Sequence, residues 1–182
     1  MILINGLPGT GKTTLVSRLS PDLGIPCMGK DQLKEFFFDT LGSDGREQSR
    51  LLGRAASQML YILASEYLAA GQPLMVESAF FVEFARPEFK KVLDAHPAHV
   101  IEVYCFTEAM VRRERFQRRN ESGERHQGHI DGTDLTHLRD DDPEPLETYA
   151  PLELGKVIRV DTTRFDDQGY EQLLAELKQE LV

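Results

Sequence analysis

Three features of the 182-residue sequence predict an α/β fold with a parallel sheet covered by helices on both faces. Brief, continuously apolar runs alternate with helical patterns along the chain, as strands buried on both faces do. The first run, Ile2-Leu3-Ile4, passes directly into a glycine-rich loop and then a helix. No internal repeat or long linker breaks the alternation. The length suits one core of about 100–200 residues, so a single domain over 1–182 is expected.

Residues 2–4 form the first strand and residues 6–11 the loop after it. Residues 12–19 read as a helix that stops before Pro21, whose ring restricts the residue preceding it. A second short strand is expected at 25–28 with Gly29 as its exit, then a helix over 31–38 ended by Gly42. Residues 47–70 make the longest helical stretch. There Leu52, Ala55, Ala56, Met59, Leu63 and Tyr67 recur at three- and four-residue steps and build an apolar face, closed by Gly71. Leu74-Met75-Val76 give a third buried strand ending at Glu77. A helix over 87–95 leads to a fourth strand at 100–106, and Thr107 is placed to cap an arginine-rich helix reaching Asn120. Residues 121–150 are polar and rich in Gly, Asp, Glu and Pro, which predicts loops with at most one short helix, and a lid rather than a domain boundary. A fifth strand at 157–160 and a closing helix at 170–181 complete the pattern.

Composition narrows the class. A hydrophobic share of 41% with 28% charged residues is that of a soluble globular protein and argues against disorder. With 21 Lys+Arg against 30 Asp+Glu the formal charge is −9, which argues against a surface that tracks nucleic acid or anionic lipid. Cys27 and Cys105 lie far apart and form no metal-ligand spacing, so reduced thiols in a cytoplasmic protein are expected. No apolar run approaches the roughly 18–20 residues of a membrane span, and the first residues lack a signal-type pattern.

Gly6-Leu7-Pro8-Gly9-Thr10-Gly11-Lys12-Thr13 matches GxxxxGK[ST] between a predicted strand and a predicted helix. Glycines there let several backbone N–H groups converge on a phosphate, and the helix start adds partial positive charge. Lys12 is expected to reach the β- and γ-phosphates and Thr13 to offer its hydroxyl to Mg²⁺, with Thr14 extending the binding segment into the helix. Nucleoside triphosphate binding follows, although the motif does not choose between a kinase, an ATPase switch and a GTPase. No NKxD-type guanine signature is present, and a larger ATPase would need further sensor or partner domains. A small phosphotransferase fits the length.

Such an enzyme must hold an acceptor, remove a hydroxyl proton and neutralise charge on the moving group. Asp31 follows the second strand, at the sheet edge where ligands of open parallel sheets gather, and can serve as the base, as a helix N-cap, or as both. Glu77 ends the third strand beside Ser78; it is placed to bind Mg²⁺ through water, to orient the acceptor, or simply to face solvent. Between Arg112 and Arg119 the chain holds five arginines and one glutamate, whereas residues 131–147 hold seven acids and one arginine. On a helix Arg112, Arg115 and Arg119 share one face with Arg118 alongside, a grouping that bound phosphates would compensate. Arg125-His126-Gln127-Gly128-His129 is read as the lid tip, without a convincing metal-ligand spacing. Phe36, Phe37, Phe38, Phe80, Phe81 and Phe84 follow strands two and three; most are expected in the core, with one or two lining the acceptor pocket.

Together the GxxxxGK[ST] loop, Gly29-Lys30-Asp31, Glu77-Ser78, the arginine helix, Arg125 to His129 and Val160-Asp161-Thr162-Thr163 resemble the small P-loop kinases. The nearest branch is the AAA-type kinase group, which is similar to chloramphenicol phosphotransferase, zeta-toxin kinases and the kinase domain of polynucleotide kinase. The resemblance spans nearly the whole chain, although only the P-loop is specific by itself. It implies a P-loop NTPase fold with a five-stranded parallel sheet in the order 2-3-1-4-5, an arginine lid over about 107–150, and ATP with Mg²⁺ as phosphoryl donor. By the same resemblance Asp31 matches the base, Arg115 and Arg119 match lid arginines, and Asp161-Thr162-Thr163 lie near the adenine. Many relatives carry aspartate where this chain has Glu77.

The expected activity is transfer of the γ-phosphate of ATP to a hydroxyl of a small molecule. A polynucleotide or nucleoside 5′-hydroxyl kinase is the alternative enzyme, and an ATP-binding regulatory protein the non-catalytic one. The isolated arginine helix in an acidic chain favours a small anion such as ATP over an extended polyanion.

Overall fold

The computed structural model describes residues 1–42, 44–122, 126–128 and 147–181. Five strands, β1 (Ile2–Asn5), β2 (Cys27–Gly29), β3 (Met75–Glu77), β4 (Ile101–Phe106) and β5 (Lys156–Asp161), form one sheet. Every pairing is parallel and the order is β2-β3-β1-β4-β5, as the resemblance implies. The central strand shows why its run carries no polar residue before Asn5: all four residues are buried. Ile2 and Ile4 face one layer with Leu15, Leu19, Val103 and Leu177, whereas Leu3 faces the other with Leu60, Val76 and Phe89. Two cores, one on each side of the sheet, result.

The helices are α1 (Lys12–Leu23), α2 (Lys30–Leu41), α3 (Gly45–Ala69), α4 (Val82–Ala95), α5 (Ala109–Glu121) and α6 (Asp167–Glu180). Several boundaries differ from expectation for local reasons. Helix α1 runs through Pro21, because that residue stands in the last turn, where Gly24 closes the helix with N–H bonds from Gly24 to Pro21 O and from Ile25 to Ser20 O. Helix α4 starts at Val82, five residues earlier than expected: the Phe81 carbonyl accepts from Phe84 and Ala85, and exposed Pro87 interrupts only one bond. Strand β2 runs over Cys27–Gly29 rather than 25–28, since Gly29 still pairs with Glu77 as its last residue. Glu108, not Thr107, holds the N-cap position of α5, and Thr107 Oγ1 instead lies 3.3 Å from Thr163 Oγ1.

On α3 the buried row is Leu52, Ala56, Leu60 and Ala64, a strict four-residue step, and Ala55 is exposed. Among the expected core phenylalanines only Phe80 is deeply buried; Phe36, Phe81 and Phe84 are 61%, 41% and 64% exposed. Helix α6 has the side-chain cap that α5 lacks, with Asp166 Oδ1 accepting from Gly169 N at 2.9 Å. Among the described residues no helix is long and apolar enough to cross a membrane.

Candidate active site

The loop from Gly6 to Gly11 joins β1 to α1, and Gly6, Gly9 and Gly11 have φ of 136°, 83° and 78°. At Gly6 a side chain is excluded twice, because a Cβ would also sit 2.1 Å from the Cys105 carbonyl oxygen. The buried Asn5 amide fixes the start of the turn. Its Oδ1 accepts from Gly6 N at 2.7 Å and from Phe80 N at 3.2 Å, while Nδ2 donates to Glu102 Oε1 at 2.8 Å and to Ala150 O at 3.2 Å. Glu102, fully buried, also accepts from Leu152 N and Glu153 N. One network thus ties the loop to β4, to the turn after β3 and to the chain returning toward β5.

Within the loop Thr10 Oγ1 donates to Leu7 O at 2.8 Å, and Thr162 Oγ1 donates to Thr10 O at 2.8 Å. The N–H groups of Gly9, Gly11, Lys12 and Thr13 find no acceptor among the described residues and open around the N-terminus of α1. Lys12, 7% exposed, donates from Nζ to Gly6 O and Leu7 O, both at 2.9 Å. Burial holds its ammonium pKa below the usual lysine value, against the opposing pull of Glu77, Cys105 and Asp31. Leu7 is buried, Pro8 is half-buried, and the side chains of Thr13 and Thr14 are exposed.

Beside this loop lies a pocket of about 600 Å³ between α1, β2 and α2. Thr13, Asp31, Glu77 and Arg119 all line it, so four of the residues singled out in the sequence converge on one space. Gly29 is the N-cap of α2, which places Asp31 inside the first turn. The capping role is therefore not Asp31's, and its carboxylate makes no hydrogen bond to any described residue. Glu77 is only 8% exposed, not turned to solvent. Burial pushes its carboxyl pKa up, Lys12 and Arg119 pull it down, and Asp31 adds to the rise. The thiols of Cys27 and Cys105 are each pushed up to about 12, mainly by burial, so neither is a thiolate at neutral pH.

The arginines divide. Arg119 reaches the pocket, whereas Arg115 turns toward the loop, with Nη2 donating to Thr162 O at 2.6 Å and Nη1 3.7 Å from a Cβ placed on Gly11. Arg112 is buried, with its Cγ packed over Gly9. Of the expected lid tip, Arg125 and His129 lie outside the described residues, as does most of 121–150. His126 lines the pocket, with Nε2 3.1 Å from Asp39 Oδ1 and Nδ1 accepting from Gly128 N at 3.0 Å. None of the six phenylalanines lines the pocket.

Sequence reasoning missed two parts of the site. Asn5 carries a signal, a polar residue closing an apolar strand just before the first glycine. Gln32 and Glu35 also line the pocket, and the step from Asp31 to Glu35 is one helical turn. Thr162, singled out by resemblance, bridges Thr10 and Arg115. In capacity, the loop N–H groups and helix start suit a phosphate. The Thr13 hydroxyl with the Glu77 and Asp31 carboxylates offers the hard oxygen donors that magnesium takes, so the residues present fit both groups.

A parallel sheet in this order, with GxxxxGK[ST] between β1 and α1, defines the P-loop kinase-like class of folds. The AAA domain family profile matches residues 1–134. A candidate kinase from Chloroflexus aurantiacus J-10-fl is 34% identical and superposes with a TM-score of 0.84, covering 100% of this chain and 97% of its own. With both findings, the chain belongs to this AAA domain family. Chaetomium thermophilum Kti12, solved with ADP-AlF3, is 15% identical with a TM-score of 0.69, over 100% of this chain and 98% of its own. A sugar kinase from Janibacter sp. HTCC2649 is 18% identical with a TM-score of 0.61, over 97% of this chain and 93% of its own. These two likenesses concern the fold alone. No curated protein matches the chain by sequence.

Proposed function

We propose that the protein is a phosphotransferase that moves the γ-phosphate of ATP to a hydroxyl of a small molecule. The observation that carries this reading is the shared pocket: Thr13, at the end of the phosphate loop, faces the same space as Asp31, Glu77 and Arg119. The similarity to a candidate kinase along the whole chain supports the same reading.

In this reading the loop from Gly6 to Thr14 holds the triphosphate, through the open N–H groups of Gly9, Gly11, Lys12 and Thr13 and the start of α1. Lys12 leaves the Gly6 and Leu7 carbonyls, to which it donates here, and turns its ammonium onto the β- and γ-phosphates. Magnesium, which Thr13 and Glu77 would hold, supplies charge neutralisation at the phosphates when bound. Asp31 accepts the proton of the acceptor hydroxyl as its oxygen bonds to the γ-phosphorus, and the bond from that phosphorus to the bridging oxygen of ADP breaks. Arg119 neutralises charge on the transferred group from the pocket side, and Arg115 does so from the loop side once released from Thr162. The lid over 107–150 belongs to the same proposal.

Incubation with γ-labelled ATP and a panel of hydroxyl metabolites, antibiotics and 5′-hydroxyl oligonucleotides tests this. A labelled small-molecule product is expected. Tight ATP binding with no product from any class would speak for a regulatory protein, and product from oligonucleotides alone would speak for an end-processing kinase.

A further inference from the structure

Thr162, buried at the exit of β5, is fixed to the end of β4 by its N–H, which donates to Phe106 O at 2.8 Å. Its hydroxyl has one proton and two carbonyls in reach, Thr10 O at 2.8 Å and Phe106 O at 3.0 Å. Phe106 O already receives the Thr162 N–H, whereas buried Thr10 O has no other donor among the described residues. The proton is therefore worth more on Thr10 O, which would otherwise be left unpaired. The other anchored carbonyls of the phosphate loop are held from nearby. Lys12 Nζ holds Gly6 O and Leu7 O, Thr10 also donates to Leu7 O, and Leu15 N of α1 holds Gly11 O. Thr10 O is held from 152 residues away in the chain. In the reading above Lys12 gives up its two carbonyls when it turns onto a nucleotide. The bond from Thr162 is independent of that movement.

A trans peptide is planar, with its C=O and the following N–H pointing in opposite directions. Pinning Thr10 O toward the end of β5 therefore aims the Gly11 N–H the other way. That N–H is one of those left open around the start of α1. Gly9 and Gly11 flank Thr10 at φ of 83° and 78°, and two glycines leave this stretch little stiffness of its own. Its direction has to come from an outside anchor. The same residue holds a second phosphate-seeking group. Thr162 O accepts from Arg115 Nη2 at 2.6 Å, with Nη1 3.7 Å from a Cβ placed on Gly11. We infer that Thr162 is a positioning residue for the phosphates: its hydroxyl sets the Gly11 N–H toward them, and its carbonyl keeps Arg115 beside the same glycine. This rests on the phosphate-binding part of the reading above and not on transfer.

Thr162→Val keeps the branched shape and the backbone carbonyl and removes only the hydroxyl, which Thr162→Ser restores. Competition against a fluorescent ATP analogue measures the affinity of each variant for ATP with Mg²⁺ and for inorganic tripolyphosphate, which has neither base nor sugar. Thr162→Val is expected to weaken both ligands about tenfold, and Thr162→Ser to stay within about threefold of the parent. Both variants should melt within about 5 °C of the parent, since one hydrogen bond is at stake. In the parent the Gly11 amide proton resonance should move downfield when tripolyphosphate is added, as a new hydrogen bond to an anion requires. Tripolyphosphate affinity unchanged in Thr162→Val overturns the inference, and a loss confined to ATP overturns it by assigning Thr162 to the base. An affinity that serine does not recover overturns it as well, because packing would then be the cause. Should Thr162→Val fail to fold, the Gly11 resonance of the parent decides: downfield movement supports the inference and a stationary resonance overturns it. A parent that binds neither ligand overturns the inference together with the P-loop assignment. A parent that binds both, responds to the variants as expected and transfers no phosphate supports the inference and counts against phosphotransfer.

Discussion

Gly29 and Glu77 are register partners across β2 and β3, and a Cβ on Gly29 would lie 3.2 Å from Glu77 Oε2. The backbone at Gly29, with φ −94° and ψ 137°, is open to any residue, so the glycine is there to make room for the carboxylate. Gly29→Ala should leave the fold and its melting temperature close to the parent while pushing Glu77 aside. We expect kcat to fall roughly tenfold with ATP affinity changed little, because small displacements of catalytic groups are costly. Steady-state kinetics with parallel nucleotide titration checks this; unaltered kcat would mean that the position of Glu77 is not critical.

Lys12→Ala should weaken ATP binding by roughly ten- to a hundredfold, the worth of a charge-assisted contact to phosphate. Titration with a fluorescent ATP analogue measures it. Normal affinity and turnover in this variant would remove the P-loop from the account.

Glu77 gives a pH signature. Its carboxyl pKa is raised, chiefly by burial, so the neutral form is favoured in the folded protein. The stability this group contributes is complete below its ordinary value and is lost as pH rises through the folded one. Glu77→Gln should therefore melt higher than the parent at pH 7.5, with the gap closing toward pH 4, while losing activity. A gap that widens on acidification would contradict the buried-carboxylate assignment. Stability and function oppose each other at this residue.

The Asn5 and Glu102 network should behave in the opposite way. Glu102→Ala removes the acceptor of the buried Leu152 N–H, of one Asn5 amide proton, whose nitrogen keeps its bond to Ala150 O, and of the part-buried Glu153 N–H. Each buried donor left unpaired costs about 1–3 kcal/mol, and a loss of roughly 3 kcal/mol in urea denaturation is expected. A variant as stable as the parent would show that water replaces the carboxylate.

Much of this was legible in the sequence where one residue type has one physical use. The apolar run before Gly6 marked β1, and the glycine spacing with Lys12 and Thr13 marked the loop. Asp31 was legible as a pocket residue from its place after β2, but its alternative as a cap fell only when Gly29 took that position. The rest depended on contacts distant in sequence. That Arg115 and Arg119 face different parts of the site follows from Thr162, 47 residues beyond Arg115. The proline rule failed at Pro21 and Pro87 because one lost N–H bond is minor where a capping turn or an exposed carbonyl absorbs it. The exposed phenylalanines defeated an argument from hydrophobicity, since apolar residues also occupy surfaces.

Transfer of labelled phosphate in a single turnover, compared between the parent and Asp31→Asn with ATP affinity measured alongside, bears most directly on the proposed chemistry. The expected result is a transfer rate lower by roughly 10²–10⁴-fold with ATP affinity within about threefold, as removal of a general base requires. An unchanged rate of transfer in Asp31→Asn would contradict it.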